Sequence, residues 1–161
     1  MIIIGYPGVG KTQLAAWHYN DYLDVDSSKF IFCGVRPSNW AECCVKMAED
    51  LSKQGYDVFV NSYKEIRDLL EKSEERVVAV YPSLELKEPW VNRLKERFET
   101  EPSSANYNAW KRAEQHYEED INDILADPFQ VITIEHMGYD LEELIINETG
   151  MLGSQEIQLP L

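Results

Sequence analysis

Ile2-Ile3-Ile4 is an apolar, β-branched run ended by Gly5, and it predicts a short strand buried on both faces. Apolar and polar positions then mix at helical spacing over 11–22, with Leu14, Ala15 and Trp17 among them. A second short strand is expected at 23–26. Ser38-Asn39 offers a cap for a long helix running to about position 54, where Gly55 supplies the stop. Asp57-Val58-Phe59-Val60 predicts a third strand, and 65–72 a short helix. The clearest strand of the chain is 76–81, closed by Pro82. Two helices are expected at about 86–99 and 106–126, divided by Glu101-Pro102-Ser103-Ser104. A fifth strand follows at 129–134 and a last helix from 140 to about 147.

Strands that alternate with helices predict an α/β protein, a three-layer α/β/α sandwich around a five-stranded parallel sheet. The chain of 161 residues suits one domain, drawn here as 1–150 with a tail at 151–161. The tail has no clear period, and its Ile157, Leu159 and Leu161 offer an apolar surface for a homodimer.

Composition adds exclusions. Hydrophobic residues make up 44% and charged residues 27%, which rules out a wholly disordered chain. No run approaches the ~18 apolar residues of a membrane span. The N-terminus lacks the basic start of a signal peptide, so a cytoplasmic protein is expected. Cys33, Cys43 and Cys44 show no metal spacing and read as reduced thiols. His18, His116 and His136 show no metal spacing either. The net charge of −14 opposes nucleic acid and anionic membranes as partners. It is uneven. Residues 1–100 hold 13 Lys+Arg against 16 Asp+Glu, and residues 101–161 hold 2 against 13, so the anion-binding groups belong to the first hundred positions.

Gly5-Tyr6-Pro7-Gly8-Val9-Gly10-Lys11-Thr12 matches the phosphate-binding loop pattern G-x-x-x-x-G-K-[ST] in full. Four fixed positions recur by chance in a chain this long on the order of 1% of the time, and here the match lies between an expected strand and an expected helix. The glycines let successive N–H groups turn toward one anion. The following helix adds its positive end, Lys11 supplies a point charge to the β- and γ-phosphates, and Thr12 offers a hydroxyl to Mg²⁺. Pro7, Val9 and Gln13 complete the nucleotide-binding set, with ATP and Mg²⁺ as cofactors.

With that loop at its start, its short length and its five strands, the chain resembles the nucleoside and nucleotide kinase branch of P-loop proteins. Adenylate, guanylate, thymidylate, shikimate and gluconate kinases belong to that branch. Over about residues 1–146 it is similar to small nucleotide-kinase-like proteins encoded by bacteriophages and prophages, which implies the host cytoplasm. The resemblance implies a nucleotide or small-molecule phosphate acceptor and several further roles. Asp24-x-Asp26 ends the second strand where shikimate and gluconate kinases carry D-x-D, so Asp24 would serve Mg²⁺ and Asp26 the acceptor. Asn61-Ser62 ends the third strand where many P-loop enzymes carry an acidic residue, a departure that leaves the metal to Asp24 or Ser62. Arg36 lies in the region from which related kinases hold an acceptor phosphate, and Arg67 is a second acceptor candidate. Residues 84–126 would form a helical lid, with Arg93 and Arg97 one turn apart on one face and closing on the transferred phosphate. Trp40 and Phe32 are either stacking platforms or core, and Tyr107, Trp110, Ala113 and Tyr117 recur as a packing stripe.

The leading expectation is a nucleoside monophosphate kinase that uses Lys11, Asp26, Arg93 and Arg97. The alternatives are a hydroxyl kinase of the shikimate or gluconate type and a non-catalytic nucleotide-binding interaction protein.

Overall fold

The computed structural model describes residues 1–150. Ile157, Leu159 and Leu161, the expected pairing surface, lie outside the described residues. Five parallel strands form one sheet: β1 (Ile2–Gly5), β2 (Tyr22–Val25), β3 (Asp57–Asn61), β4 (Val77–Pro82) and β5 (Gln130–Ile134). Their spatial order is β2-β3-β1-β4-β5. Side chains of Ile2, Ile3 and Ile4 point alternately to opposite faces, yet none exceeds 1% exposure. Both faces of the central strand are therefore covered, as a parallel sheet requires, and each isoleucine contributes roughly 1.5–3 kcal/mol of burial.

Six helices connect and cover the strands: α1 (Lys11–Trp17), α2 (Trp40–Lys53), α3 (Lys64–Leu70), α4 (Lys87–Thr100), α5 (Ser104–Leu125) and α6 (Leu141–Thr149). Helix α1 stops five residues short of the expected end. Tyr22 has a better alternative to helix, since it opens β2 in register with Asp57 and stacks its buried ring on Phe59. Helix α2 places Ala41, Cys44, Val45 and Ala48 on its buried face. Helix α6 starts at Asp140, whose carboxylate accepts the N–H of Glu143, and ends at Gly150 in the left-handed conformation.

The region expected as a lid is a helical hairpin whose base belongs to the core. Trp90 and Leu94 of α4 and Ala113, Tyr117, Ile121 and Ile124 of α5 are buried. Tyr117 also donates its hydroxyl to Ser83 O at 2.8 Å. Only the far end of the hairpin has its own aromatic cluster, with Phe98 against Tyr107 at 5.4 Å and stacked on Trp110 at 5.7 Å. Helix α5 is kinked at His116, which has φ −132° and ψ 17°. The kink lets Arg112 reach Asp120, eight residues on, with Nε donating to Oδ2 at 2.9 Å.

Candidate active site

The β1 strand ends at Gly5 in the middle of the sheet, between Asn61 and Val80 of its neighbours. The loop that follows therefore opens at the carboxyl edge, where ligands bind in open parallel sheets. A side chain at position 5 would collide with Lys11 Cδ, so glycine is what lets the lysine stem fold back across the loop. Lys11 Nζ then donates to Gly5 O at 2.9 Å and to Tyr6 O at 3.4 Å. Gly8 adopts φ +89°, a region closed to most side chains. No backbone carbonyl accepts from the N–H groups of Gly8 or Gly10. Burial pulls the Lys11 ammonium down to about 8, and Arg97 adds to the effect, against the opposing pull of Asp24 and Asp26.

Thr12 Oγ1 donates to Asp24 Oδ2 at 2.7 Å. The second oxygen, Asp24 Oδ1, is buried and has no hydrogen-bond partner among the described residues. A buried carboxylate oxygen without a donor is costly unless a cation serves it. Among the described residues no cluster of three or more His, Cys, Asp or Glu side chains is arranged to hold a metal. One hydroxyl and one carboxylate are what Mg²⁺ takes from a protein when phosphates and water complete its shell. Thr12 and Asp24 therefore fit Mg²⁺ in company with a polyphosphate. Asn61 does not replace the missing acid, since its Oδ1 accepts from Ser27 N at 3.4 Å and ties the end of β3 to the end of β2.

The acceptor candidates separate. Asp26 lies just past β2, where it caps a 3-10 turn at Ser27–Phe30 and accepts Ser28 N at 2.9 Å and Ser28 Oγ at 2.7 Å. Arg36 lays its guanidinium over the Trp40 ring at 4.4 Å and near Tyr63 at 5.9 Å. Asp26, Asp24 and Arg36 all bear electrostatically on the buried Cys44 thiol. Burial, the largest influence there, pushes that thiol up to about 11. Arg67 is not available to an acceptor. It is 3% exposed, paired with Asp123, 2.6 Å from Asp127 through Nε, and donates to Ser62 O at 3.1 Å. Its expected role is corrected: it fastens α3 to α5.

Arg93 and Arg97 also part company. Arg93 donates to Gly8 O at 3.3 Å, Met137 O at 3.3 Å and Tyr139 Oη at 2.9 Å, and stacks on Trp90 at 4.7 Å. It is built into the wall of the loop rather than left to close upon a phosphate. Arg97, one turn on, is exposed and near enough to bear on Lys11. Sequence reasoning missed three contributors. Trp90 Nε1 donates to Pro7 O at 2.9 Å, and Tyr139 Oη to Val9 O at 2.8 Å. Arg112 reaches the neighbourhood of Tyr6 through the kink in α5. The only sequence signals were a tryptophan and an arginine three apart on α4, which mark a helical face without saying what it faces.

Beside the loop, a cleft of about 560 Å³ is lined by Gly10, Gln13, Trp17, Tyr139 and Leu141, between α1 and the start of α6. No protein-family profile matches the chain, and no curated protein matches it. Solved structures do. The chain is similar to the tunicamycin resistance protein of Deinococcus radiodurans at 14% identity and a TM-score of 0.52, over 92% of this chain and 93% of that one. It is similar to shikimate kinase from Bacteroides thetaiotaomicron at 12% identity and a TM-score of 0.56, over 91% and 93%. The chain has the P-loop kinase fold. Among the described residues no helix is long and apolar enough to cross a membrane.

Proposed function

We propose that the protein is an ATP-dependent phosphotransferase acting on a small anionic acceptor. The observation that carries this reading is the Thr12–Asp24 pair with its buried, unpartnered oxygen, set beside a loop of open N–H groups and Lys11. A plain glycine-rich turn would not need a buried carboxylate aimed at its threonine. Mg²⁺, when bound, would neutralise charge on the β- and γ-phosphates. Lys11 and the loop amides would hold those phosphates, with the exposed Arg97, whose charge bears on Lys11, as a further cation on the α4 side. The cleft along Gln13, Trp17 and Tyr139 would take the rest of the nucleotide.

For the acceptor, a hydroxyl is favoured. Transfer then forms a bond from the acceptor oxygen to the γ-phosphorus and breaks the bond to the β–γ bridging oxygen, releasing ADP. The hydroxyl proton passes to Asp26, and an anionic group elsewhere on the acceptor pairs with Arg36. A nucleoside monophosphate remains the second reading. It is supported by the Arg36 guanidinium stacked on Trp40, which is a phosphate receptor beside an aromatic ring. It is weakened by the commitment of Arg67 to Asp123 and Asp127.

The test is ATP consumption with Mg²⁺ against common ribo- and deoxynucleoside monophosphates, hydroxy acids including shikimate and gluconate, and hydroxylated nucleoside derivatives. Products are resolved by chromatography. A phosphomonoester from a hydroxylated anion supports the first reading, and a nucleoside diphosphate the second. Bound ATP with no product from any acceptor would favour a nucleotide-gated binding protein.

A further inference from the structure

Three successive carbonyls of the phosphate loop are each held by a different side chain. Pro7 O accepts from Trp90 Nε1, Gly8 O from Arg93 Nη1 and Val9 O from Tyr139 Oη. These side chains come from α4 and from the turn between β5 and α6, which lie 80 to 130 positions from the loop. They also form one unit. Trp90 and Tyr139 stack at 6.2 Å with 16° between their planes, and Arg93 lies within 4.7 Å of one ring centroid and 5.4 Å of the other. Arg93 Nη1 donates to Tyr139 Oη as well, and Nη2 donates to Met137 O, so one guanidinium joins α4, the loop and the β5–α6 turn.

A peptide plane has a carbonyl on one side and an N–H on the other. Fixing where a carbonyl points fixes where the N–H of the next residue points. The Pro7 carbonyl sets the Gly8 N–H, the Gly8 carbonyl the Val9 N–H, and the Val9 carbonyl the Gly10 N–H. Among the described residues no backbone carbonyl accepts from the Gly8 or Gly10 N–H, while the Val9 N–H donates to Tyr6 O at 3.3 Å. Gly8 and Gly10 both sit at positive φ, and glycine's wide backbone freedom leaves the loop in need of outside contacts to hold one conformation.

We propose that Trp90, Arg93 and Tyr139 are positioning residues that preset the loop amides for a polyphosphate by gripping the carbonyls behind them. The inference rests on the nucleotide-binding reading for its ligand, while the grip itself is a statement about the loop. Preorganised donors are effective because they need not reorient when the anion arrives.

Tyr139→Phe tests it most cleanly. The ring and its stacking on Trp90 stay, and only the hydroxyl that serves Val9 O and Arg93 goes. Two readouts are taken on wild type and variant. In the first, amide hydrogen exchange is followed at Val9, whose N–H donates to Tyr6 O at 3.3 Å within the loop, and at the β1 and β4 amides, with no ligand added. In the second, the affinity for Mg²⁺ tripolyphosphate is measured by calorimetry. The expected result is exchange about tenfold faster at the Val9 amide with the strands unchanged. Tripolyphosphate should bind about five- to tenfold more weakly, the scale of one hydrogen bond. Arg93→Lys should move the same readouts in the same direction. Unchanged exchange at the Val9 amide in both variants overturns the proposal, as does an equal change throughout the sheet, which marks general loosening. If wild type binds no polyphosphate, the nucleotide reading fails, and the exchange measurement still decides whether the grip sets the loop.

Discussion

Thr12 and Asp24 are twelve positions apart and meet at 2.7 Å, hydroxyl to carboxylate, joining the first turn of α1 to the end of β2. The contact spans the sheet edge past β3, because β2 is an outer strand and β3 lies between it and β1. It makes the outer strand, rather than the neighbour of β1, the source of the acidic group at the phosphate loop.

Asp24→Asn should therefore raise the Mg²⁺ concentration needed for half-maximal ATP binding by at least about tenfold. The same variant should keep or raise the urea midpoint, because it removes a buried charge with one oxygen lacking a donor. Calorimetry across a magnesium series and a denaturation curve check both halves.

Lys11 sets a pH limit. Its ammonium is lowered to about 8 by burial, below its ordinary value near 10.5. The folded chain then binds fewer protons than the unfolded one between about pH 8 and 10.5, so this group's contribution to stability rises with pH across that window. Polyphosphate binding runs the other way, since it needs the charged form. ATP affinity should be level below pH 7.5 and fall toward tenfold per unit above about 8. Lys11→Ala should abolish the slope and weaken transfer by about 10²- to 10³-fold.

Arg67 should matter for stability and not for chemistry. Its side chain and that of Asp127 are 4% and 7% exposed, so removing one leaves the other charged and buried. Arg67→Met should cost about 3–5 kcal/mol in urea denaturation, and the double variant Arg67→Met/Asp127→Leu should recover much of it. The KM values of the folded single variant should be unchanged.

The two acceptor readings predict different variants. Asp26→Asn keeps the cap on the 3-10 turn, because asparagine accepts the same N–H. It should lower kcat by about 10²- to 10⁴-fold for a hydroxyl acceptor and far less for a phosphate acceptor. If Arg36 receives the acceptor's anionic group, as proposed, Arg36→Ala should raise the acceptor KM by about tenfold and leave the ATP KM alone.

These particulars show where the sequence was legible. Alternation of β-branched runs with helical stretches was enough for the five strands, and the loop motif was visible because its residues are contiguous. Asp24 was singled out through the resemblance of Asp24-x-Asp26 to the D-x-D of shikimate and gluconate kinases, and the structure sets its carboxylate on Thr12. Arg67 was misread because its partners are 56 and 60 positions away, and no local pattern distinguishes a buried arginine from a surface one. Arg93 was expected to face a phosphate, and its contacts with the Gly8 and Met137 carbonyls went unread, because spacing on a helix gives a face but not the carbonyl it meets. The Arg112–Asp120 pair was invisible, since eight residues is off the helical period and only the kink at His116 brings them together. Helix α1 was overrun because pairing of Tyr22 with β3 is a tertiary preference that helical spacing does not report.

The central claim is transfer of the ATP γ-phosphoryl group to a small acceptor. Its most direct measurement is ³¹P NMR of Mg²⁺·ATP with the protein and a pooled set of hydroxylated anions and nucleoside monophosphates. The account predicts loss of the γ resonance matched by ADP and by one new phosphomonoester or diphosphate signal, with no inorganic phosphate. ATP that binds yet stays intact, or that yields only ADP and inorganic phosphate, would contradict it.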